Sequence, residues 1–268
     1  MKIMIMTDME GCAGILNHDD WVVPEGRYYE KGKRFLTEEV NAAIAGFFEA
    51  GADEVVVVDG HGYGGIDPKL LDERALLSRG APKPAWPWGL DKTFDGLAFV
   101  GQHAKAGTSH SHITHTQGFN YVDLIINNIS IGEYGQVALC AMELGIPTIL
   151  ACGENALAEE AAALTPGVVT VGVKQGVLPD GLDDLDCDAY SKAKLSAIHL
   201  SPLKARKLIK EGAFNALIKL KQQPEVFTYP ELTPPYVLET KFRANGDKPA
   251  HVRRIEHSNS IIELFNMP

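Results

Sequence analysis

The chain has 268 residues, of which 45% are hydrophobic, and it carries a formal net charge of −10 with a pI of about 5.4. This composition is typical of a globular protein and excludes a disordered chain. The acidic balance argues against nucleic-acid binding, which needs a concentrated positive surface. No stretch reaches the roughly 20 apolar residues of a membrane span, and the N-terminal apolar run is too short for a secretory signal. We therefore expect a cytoplasmic protein with neither a membrane nor a nucleic-acid partner.

The elements predicted along the chain alternate between strand and helix. Short apolar runs indicate buried strands, and apolar residues at helical spacing indicate amphipathic helices. The elements predicted in the first half are a strand at 2–7, a helix at 28–50, a strand at 54–58, a short strand near 75–77, a strand at 97–101 and a hairpin at 121–132 that turns at Asn127 and Asn128. The second half follows with a helix at 133–144, a strand at 147–152, a helix at 154–164, a strand at 168–176, an acidic surface loop at 176–191, a helix at 201–222 and a strand at 236–242.

This alternation with short connections predicts an α/β fold with a mostly parallel central sheet flanked by helices. The proline-rich segment after residue 223 suggests a smaller C-terminal lobe, so we expect a main domain at 1–222 and a lobe at 223–268. The four cysteines are scattered without a CxxC pair, which favours free thiols and argues against a zinc–thiolate site. In parallel sheets, ligands bind beyond the carboxyl ends of the strands.

Acidic or imidazole side chains follow three of the predicted strands. Asp8 and Glu10 follow the first strand, Asp59 and His61 the second, and His103 the third. Taken alone, a D-x-E sequence is often a turn, and Asp59 could simply cap the turn beside His61. Carboxylates brought together repel one another, however, and a divalent cation would offset that repulsion. Imidazole and carboxylate ligands without thiolate suit zinc, manganese, cobalt or iron, and Asp8 could bridge two such ions.

Two further features lie between the third strand and the next helix. The segment 109–115 holds three histidines. For His110 and His112 we expect a flexible metal-binding or merely polar loop, whereas His115 is the better catalytic candidate. Glu133 begins a helix after Gly132, where an acid is favoured by the helix dipole even without a functional role.

The ordered set of motifs resembles the DppA-type D-aminopeptidases, a family of binuclear zinc metallopeptidases. The motifs are TDMEG, DGHG, GQHA, THTQG, GEYGQ, VKQG and LSPLKA, spread from residue 1 to about 206. The resemblance implies that Asp8 bridges two zinc ions, that the other metal ligands are Glu10, His61, His103 and Glu133, and that His115 is catalytic. It also implies a homo-oligomer, a ring-shaped homodecamer.

The function expected on this basis is hydrolysis of short peptides, including peptides of D-amino acids, by a zinc-activated water at a binuclear site. Two alternatives remain open. Another binuclear metallohydrolase, such as an amidohydrolase or a phosphoesterase, could use the same ligands, although no phosphate-binding GxxxxGK[ST] loop is present. A catalytically inactive, oligomeric metal-binding protein is the second alternative.

Overall fold

The computed structural model describes residues 1–80 and 83–268. A seven-stranded sheet with the order β3-β2-β1-β4-β7-β8-β9 forms its centre, and every neighbouring pair is parallel except β8 with β9. Its strands are β1 (Lys2–Thr7), β2 (Glu54–Asp59), β3 (Leu76–Arg79), β4 (Gly96–Gln102), β7 (Thr148–Glu154), β8 (Val169–Gly176) and β9 (Ala197–His199). The α/β class and the mostly parallel central sheet are confirmed.

Seven helices accompany the strands within the described ranges. They are α1 (His18–Trp21), α2 (Tyr29–Glu49), α3 (Glu133–Leu144), α4 (Asn155–Leu164), α5 (Cys187–Ser191), α6 (Pro202–Gln222) and α7 (Ile261–Asn266). The helices predicted at 28–50, 133–144, 154–164 and 201–222 are confirmed to within one or two residues. Helix α6 begins as expected, with the Ser201 side chain accepting a hydrogen bond from the Lys204 backbone N–H and with Pro202 in the first turn.

Strand β1 shows how the sheet separates two apolar layers. Ile3 and Ile5 belong to the core formed with α2 and α6, whereas Met4 and Met6 belong to the core formed with α3 and α4. Successive side chains of a strand point to opposite faces, so a strand covered on both faces is apolar throughout. Helices α2 and α6 lie so close that a Cβ atom on Gly46 would come within 2.2 Å of the Lys210 carbonyl oxygen.

A second, antiparallel sheet has the order β11-β10-β5-β6. Its strands are β5 (Tyr121–Ile126), β6 (Ile129–Ile131), β10 (Tyr236–Phe242) and β11 (His251–His257). The turn between β5 and β6 falls at Asn127 and Asn128, whose φ angles of 44° and 69° suit a tight hairpin turn. Strand β10 pairs with β5, so this sheet joins segments from both sides of residue 222. The division into 1–222 and 223–268 stays a prediction.

Several short elements were not predicted. The acidic segment 176–191, expected to be a loop, contains α5, because the Asp186 carboxylate accepts a hydrogen bond of 2.8 Å from the Ala189 backbone N–H and caps a short helix. Strand β11 has a polar sequence with mostly exposed side chains, so it carries no apolar alternation to identify it. Helix α1 spans only four residues, too few to show a helical period. Among the described residues, no helix combines the length and the apolarity needed to cross a bilayer.

Candidate metal centre

The predicted ligands converge at one edge of the central sheet. Strands β2, β1 and β4 are adjacent and parallel, so their carboxyl ends meet at this edge. Asp8 follows β1, His61 lies just beyond β2 and His103 follows β4. Glu10 lies in the loop after β1, and Glu133 is the first residue of α3. Five residues that are up to 125 positions apart in the chain therefore face one another.

The Asp8 carboxylate lies between two imidazoles. Its Oδ1 is 3.2 Å from His61 Nδ1, and its Oδ2 is 3.2 Å from His103 Nε2. Glu10 Oε2 is also 3.2 Å from His61 Nδ1, and Glu133 Oε1 is 3.6 Å from His103 Nε2. We call the set Asp8, Glu10, His61, His103 and Glu133 the metal cluster.

Each histidine of the site has one ring nitrogen occupied by a backbone carbonyl. His61 Nε2 lies 2.7 Å from the Val22 oxygen, and His103 Nδ1 lies 2.8 Å from the Ala104 oxygen. Because a carbonyl only accepts, each of these nitrogens carries the proton. In the neutral ring, the other nitrogen then presents its lone pair to the carboxylates, as a metal-binding histidine requires.

The crowding of acids and imidazoles shifts their pKa values. Burial alone would raise the pKa of Asp8, but hydrogen bonds and charges from His103 and His61 outweigh it and hold that pKa well below its usual range. Burial would lower the pKa of His61, yet Glu10 and Asp8 raise it to about 12. The carboxylates therefore favour positive charge at this point, and a metal cation would supply it.

Two atoms of the metal cluster are buried without a hydrogen-bond partner among the described residues: Glu10 Oε2 and His103 Nε2. Unpaired buried polar atoms are costly, so each such atom needs an explanation. The donor atoms of Asp8, Glu10 and His103 lie within 4.8 Å of one another, and so do those of His103, His115 and Glu133. A divalent cation held by these atoms would satisfy both unpaired positions, so the residues present fit a metal centre.

His115 lies beside the metal cluster. Its ring stacks on that of His103 with centroids 4.2 Å apart, and its Nε2 is 3.9 Å from Glu133 Oε1. Its Nδ1 lies 3.1 Å from the Ile113 carbonyl oxygen, so the proton of the neutral ring is on Nδ1 and Nε2 is free to accept one. Burial, reinforced by the charge of His103, lowers the pKa of His115 to about 4.

A glycine and a side-chain hydrogen bond hold the loops that carry the predicted ligands. Gly101 has a φ of 77°, and a Cβ atom there would come within 2.1 Å of the Asp8 carbonyl oxygen, so only glycine fits between the loop after β1 and the end of β4. The Gln102 side chain donates a 2.9 Å hydrogen bond to Asp8 Oδ2. Gln102 belongs to the GQHA motif but was not predicted to contact the site, although its position at the end of a strand could have indicated it.

Asp59 and His112 lie outside the metal cluster. The Asp59 carboxylate accepts hydrogen bonds from the Gly65 and Ile66 backbone N–H groups, so it caps the turn, the simpler of the two predicted roles. The prediction of a polar loop fits His110, which is exposed, but it is wrong for His112, which is fully buried. His112 is buried because Lys174 and the Leu16 carbonyl oxygen satisfy its two ring nitrogens.

A cavity of about 360 Å³ opens over the metal cluster. Acidic and imidazole groups form one part of its wall, including Asp8, Glu133 and His115, and aromatic side chains form another. The aromatic residues are Tyr63, Trp86, Trp88 and Phe119. A small polar molecule with an apolar substituent could therefore place its polar part at the metal cluster and its apolar part against the aromatic wall.

Comparison with known proteins gives one consistent result. Residues 1–256 match the Peptidase_M55 family, described as D-aminopeptidase. A D-aminopeptidase of Bacillus subtilis (strain 168) is 35% identical over 239 residues, which cover 88% of this chain and 78% of the relative. A solved structure, described as the Zn-dependent D-aminopeptidase DppA from Bacillus subtilis, a self-compartmentalizing protease, has a TM-score of 0.82 and 28% identity, and the match covers 99% of this chain and 95% of that one.

Proposed function

This chain belongs to the D-aminopeptidase family, and from that membership we propose that it is a zinc-dependent aminopeptidase that releases the N-terminal residue of short peptides, including peptides of D-amino acids. The observation that carries the proposal is the position of the Asp8 carboxylate beneath one open cavity, with one oxygen 3.2 Å from His61 Nδ1 and the other 3.2 Å from His103 Nε2. The Zn-dependence of the related structure supports zinc as the metal.

We propose that the five residues of the metal cluster are the metal ligands and that they bind two ions. The two Asp8 oxygens face different imidazoles, His61 and His103, as a carboxylate that bridges two cations would. Glu10 adds a donor on the His61 side, and Glu133 adds one on the His103 side. When bound, a divalent zinc ion polarises a carbonyl and lowers the pKa of a coordinated water.

His115 supplies the proton chemistry in this proposal. Its Nε2 is the free acceptor of a neutral imidazole and lies beside Glu133 at the cavity wall. A pKa of about 4 keeps the ring neutral near pH 7, so Nε2 can take a proton from an attacking nucleophile and return it to the leaving amine. Because the Ile113 carbonyl fixes the Nδ1 proton, the ring cannot exchange tautomers without losing that hydrogen bond.

The substrate and the assembly are proposed from the same family membership. A cavity of about 360 Å³ suits a short peptide rather than a folded protein. The related structure is described as a self-compartmentalizing protease, which supports a large homo-oligomer, a homodecamer, for this chain. In such an assembly only short or unfolded substrates reach the metal cluster.

Free amino acid released from D-Ala and L-Ala dipeptides, measured with and without a chelator, tests this function. We expect release from the D-Ala dipeptide, loss of release with the chelator and recovery on adding zinc. A phosphate monoester in parallel assays separates the peptidase from a phosphoesterase with the same ligands. Bound zinc without hydrolysis of any dipeptide would instead support the inactive metal-binding alternative.

A further inference from the structure

A second group of buried polar residues lies behind the metal cluster, and the chemistry above does not use it. Lys174 on β8 is 2% exposed, and both His112 and Glu154 are fully buried. Charged side chains are seldom buried to this degree unless each has a partner. We call Lys174, His112 and Glu154 the lysine network.

Lys174 connects the loop after β1 to the segment that carries His115. Its Nζ donates a hydrogen bond to the backbone carbonyl of Glu10 and another, of 3.0 Å, to His112 Nδ1. His112 Nε2 lies 3.1 Å from the Leu16 carbonyl oxygen, which only accepts, so His112 is protonated on Nε2 and its Nδ1 is an acceptor. The ammonium therefore joins Glu10 to an imidazole three residues before His115.

Glu154 continues the connection to the end of β4. One of its oxygens accepts a 2.9 Å hydrogen bond from the His112 backbone N–H, and the other accepts a 2.7 Å hydrogen bond from the backbone N–H of Ala104, the residue after His103. One unbroken chain of hydrogen bonds thus runs from Glu10 through Lys174, His112 and Glu154 to Ala104. Its ends are attached to two different loops that supply the metal cluster.

We propose that Lys174 is a positioning residue, which holds the Glu10 loop in register with the loops of His103 and His115 and thereby fixes the distances within the metal cluster. The proposal rests on the proposed function. Groups that orient metal ligands typically contribute about ten- to a hundredfold to metal affinity or activity, even though they do not contact the ion. Methionine is close to lysine in length but cannot donate to the Glu10 carbonyl.

The test compares Lys174→Met with Lys221→Met. Lys221 also donates from its Nζ to backbone carbonyls, those of Ala50 and Gly51, but it does so where α2 ends, away from the strand ends that carry the site. For Lys174→Met we expect an apparent Kd for zinc at least about tenfold higher, measured by competition with a chelator, and a kcat at least about tenfold lower. Lys221→Met should keep both values within about twofold of the unmodified protein.

A zinc Kd and a kcat within about twofold of normal in folded Lys174→Met would overturn the proposal. If that variant does not fold, Lys174→Met/Glu39→Gln restores charge balance, because Glu39 is a buried acid near Lys174, and the same result is expected. Failure of both variants to fold would show that Lys174 is required for the stability of the core, which would contradict the positioning role. Failure of the unmodified protein to bind zinc or cleave dipeptides would count against the proposed function instead, so the two outcomes are distinguishable.

Discussion

The metal cluster and the lysine network bury ionisable groups at the same edge of the sheet, but they offset the charge in different ways. The metal cluster has three carboxylates and two imidazoles, it faces a cavity, and within residues 1–80 and 83–268 neither Glu10 Oε2 nor His103 Nε2 has a hydrogen-bond partner. The lysine network lies behind it and contains its own cation, Lys174, which donates to a carbonyl and to a neutral imidazole. The lysine network therefore holds its own positive charge, whereas the metal cluster is open to solvent, from which the proposed zinc ions would come.

The buried carboxylates of Glu10 and Glu39 should differ most in their effect on zinc binding, although in the described part of the chain the Oε2 atom of each lacks a hydrogen-bond partner. Glu10→Gln should weaken zinc binding and lower kcat by roughly a thousandfold, because a metal ion supplies several kcal/mol of transition-state stabilisation. Glu39→Gln should leave zinc affinity and kcat within about twofold of normal, since Glu39 lies behind the Glu10 loop and accepts a hydrogen bond from the Ala13 backbone N–H. Zinc titration and dipeptide kinetics measure both variants, and equal losses would contradict the distinction.

Removing His115 separates metal binding from proton transfer. His115→Ala should keep the zinc content of the normal protein and cut kcat by about a hundredfold or more, as expected for one acid–base group. His110→Ala, which removes an exposed histidine from the same segment, is the matched control and should retain normal kcat. Near-normal turnover of His115→Ala would remove His115 from the mechanism.

The buried carboxyl group of Glu39 should make the free energy of unfolding depend on pH, independently of the metal cluster. Burial raises the pKa of Glu39 to about 7, against an ordinary value of 4.5, although the Ala13 N–H, Cys12, Lys174 and Arg206 oppose that rise. The folded state therefore binds the Glu39 proton more tightly than the unfolded state does. The contribution of this proton to the free energy of unfolding is complete below about pH 4.5 and is lost as the pH rises through about 7.

Glu39→Gln should remove this dependence. Because glutamine stays neutral, the variant should match the normal protein near pH 4.5 and exceed its free energy of unfolding by up to about 3 kcal/mol at pH 8. Urea unfolding at the two pH values measures the difference. A variant less stable than the normal protein at pH 8 would show that the carboxylate is ionised and favourably paired.

The smallest effect is expected at the aromatic part of the cavity. Trp88→Ala should raise KM for an apolar dipeptide about three- to tenfold with kcat within about twofold, because contact with the unreacting part of a substrate contributes to binding in ground and transition states alike. Tyr28→Ala, at an exposed aromatic residue outside the cavity lining, should change neither KM nor kcat. A fall in kcat at unchanged KM would indicate that Trp88 acts on the reacting groups.

The convergence of the site residues could be predicted from the sequence because parallel strands bring their carboxyl ends together. Asp8, His61 and His103 each follow a short apolar run, so their common edge could be predicted from strand patterns alone. The roles of these residues as zinc ligands stay a prediction. The motif resemblance, and not a physical pattern, singled out Glu133, since an acid at a helix start has an ordinary explanation.

The lysine network could not be predicted in the same way. Lys174 interrupts an apolar strand, and its partners are a backbone carbonyl and an imidazole from distant segments, which depend on the packing of three loops. Glu154 ends β7 as Asp59 ends β2, so its position at the strand edge was visible, but its two backbone partners were not. His112 was expected in a polar loop because a histidine-rich sequence gives no indication of which ring is buried.

We propose above that side chains from distant parts of the chain bind two cations that the Asp8 carboxylate bridges. The most direct test is the metal content of Asp8→Ala. We predict two zinc ions per chain in the normal protein and none retained in folded, dialysed Asp8→Ala, measured by elemental analysis with circular dichroism as the check on folding. Two zinc ions per chain in the folded variant would contradict the bridging role of Asp8 and the shared centre that depends on it.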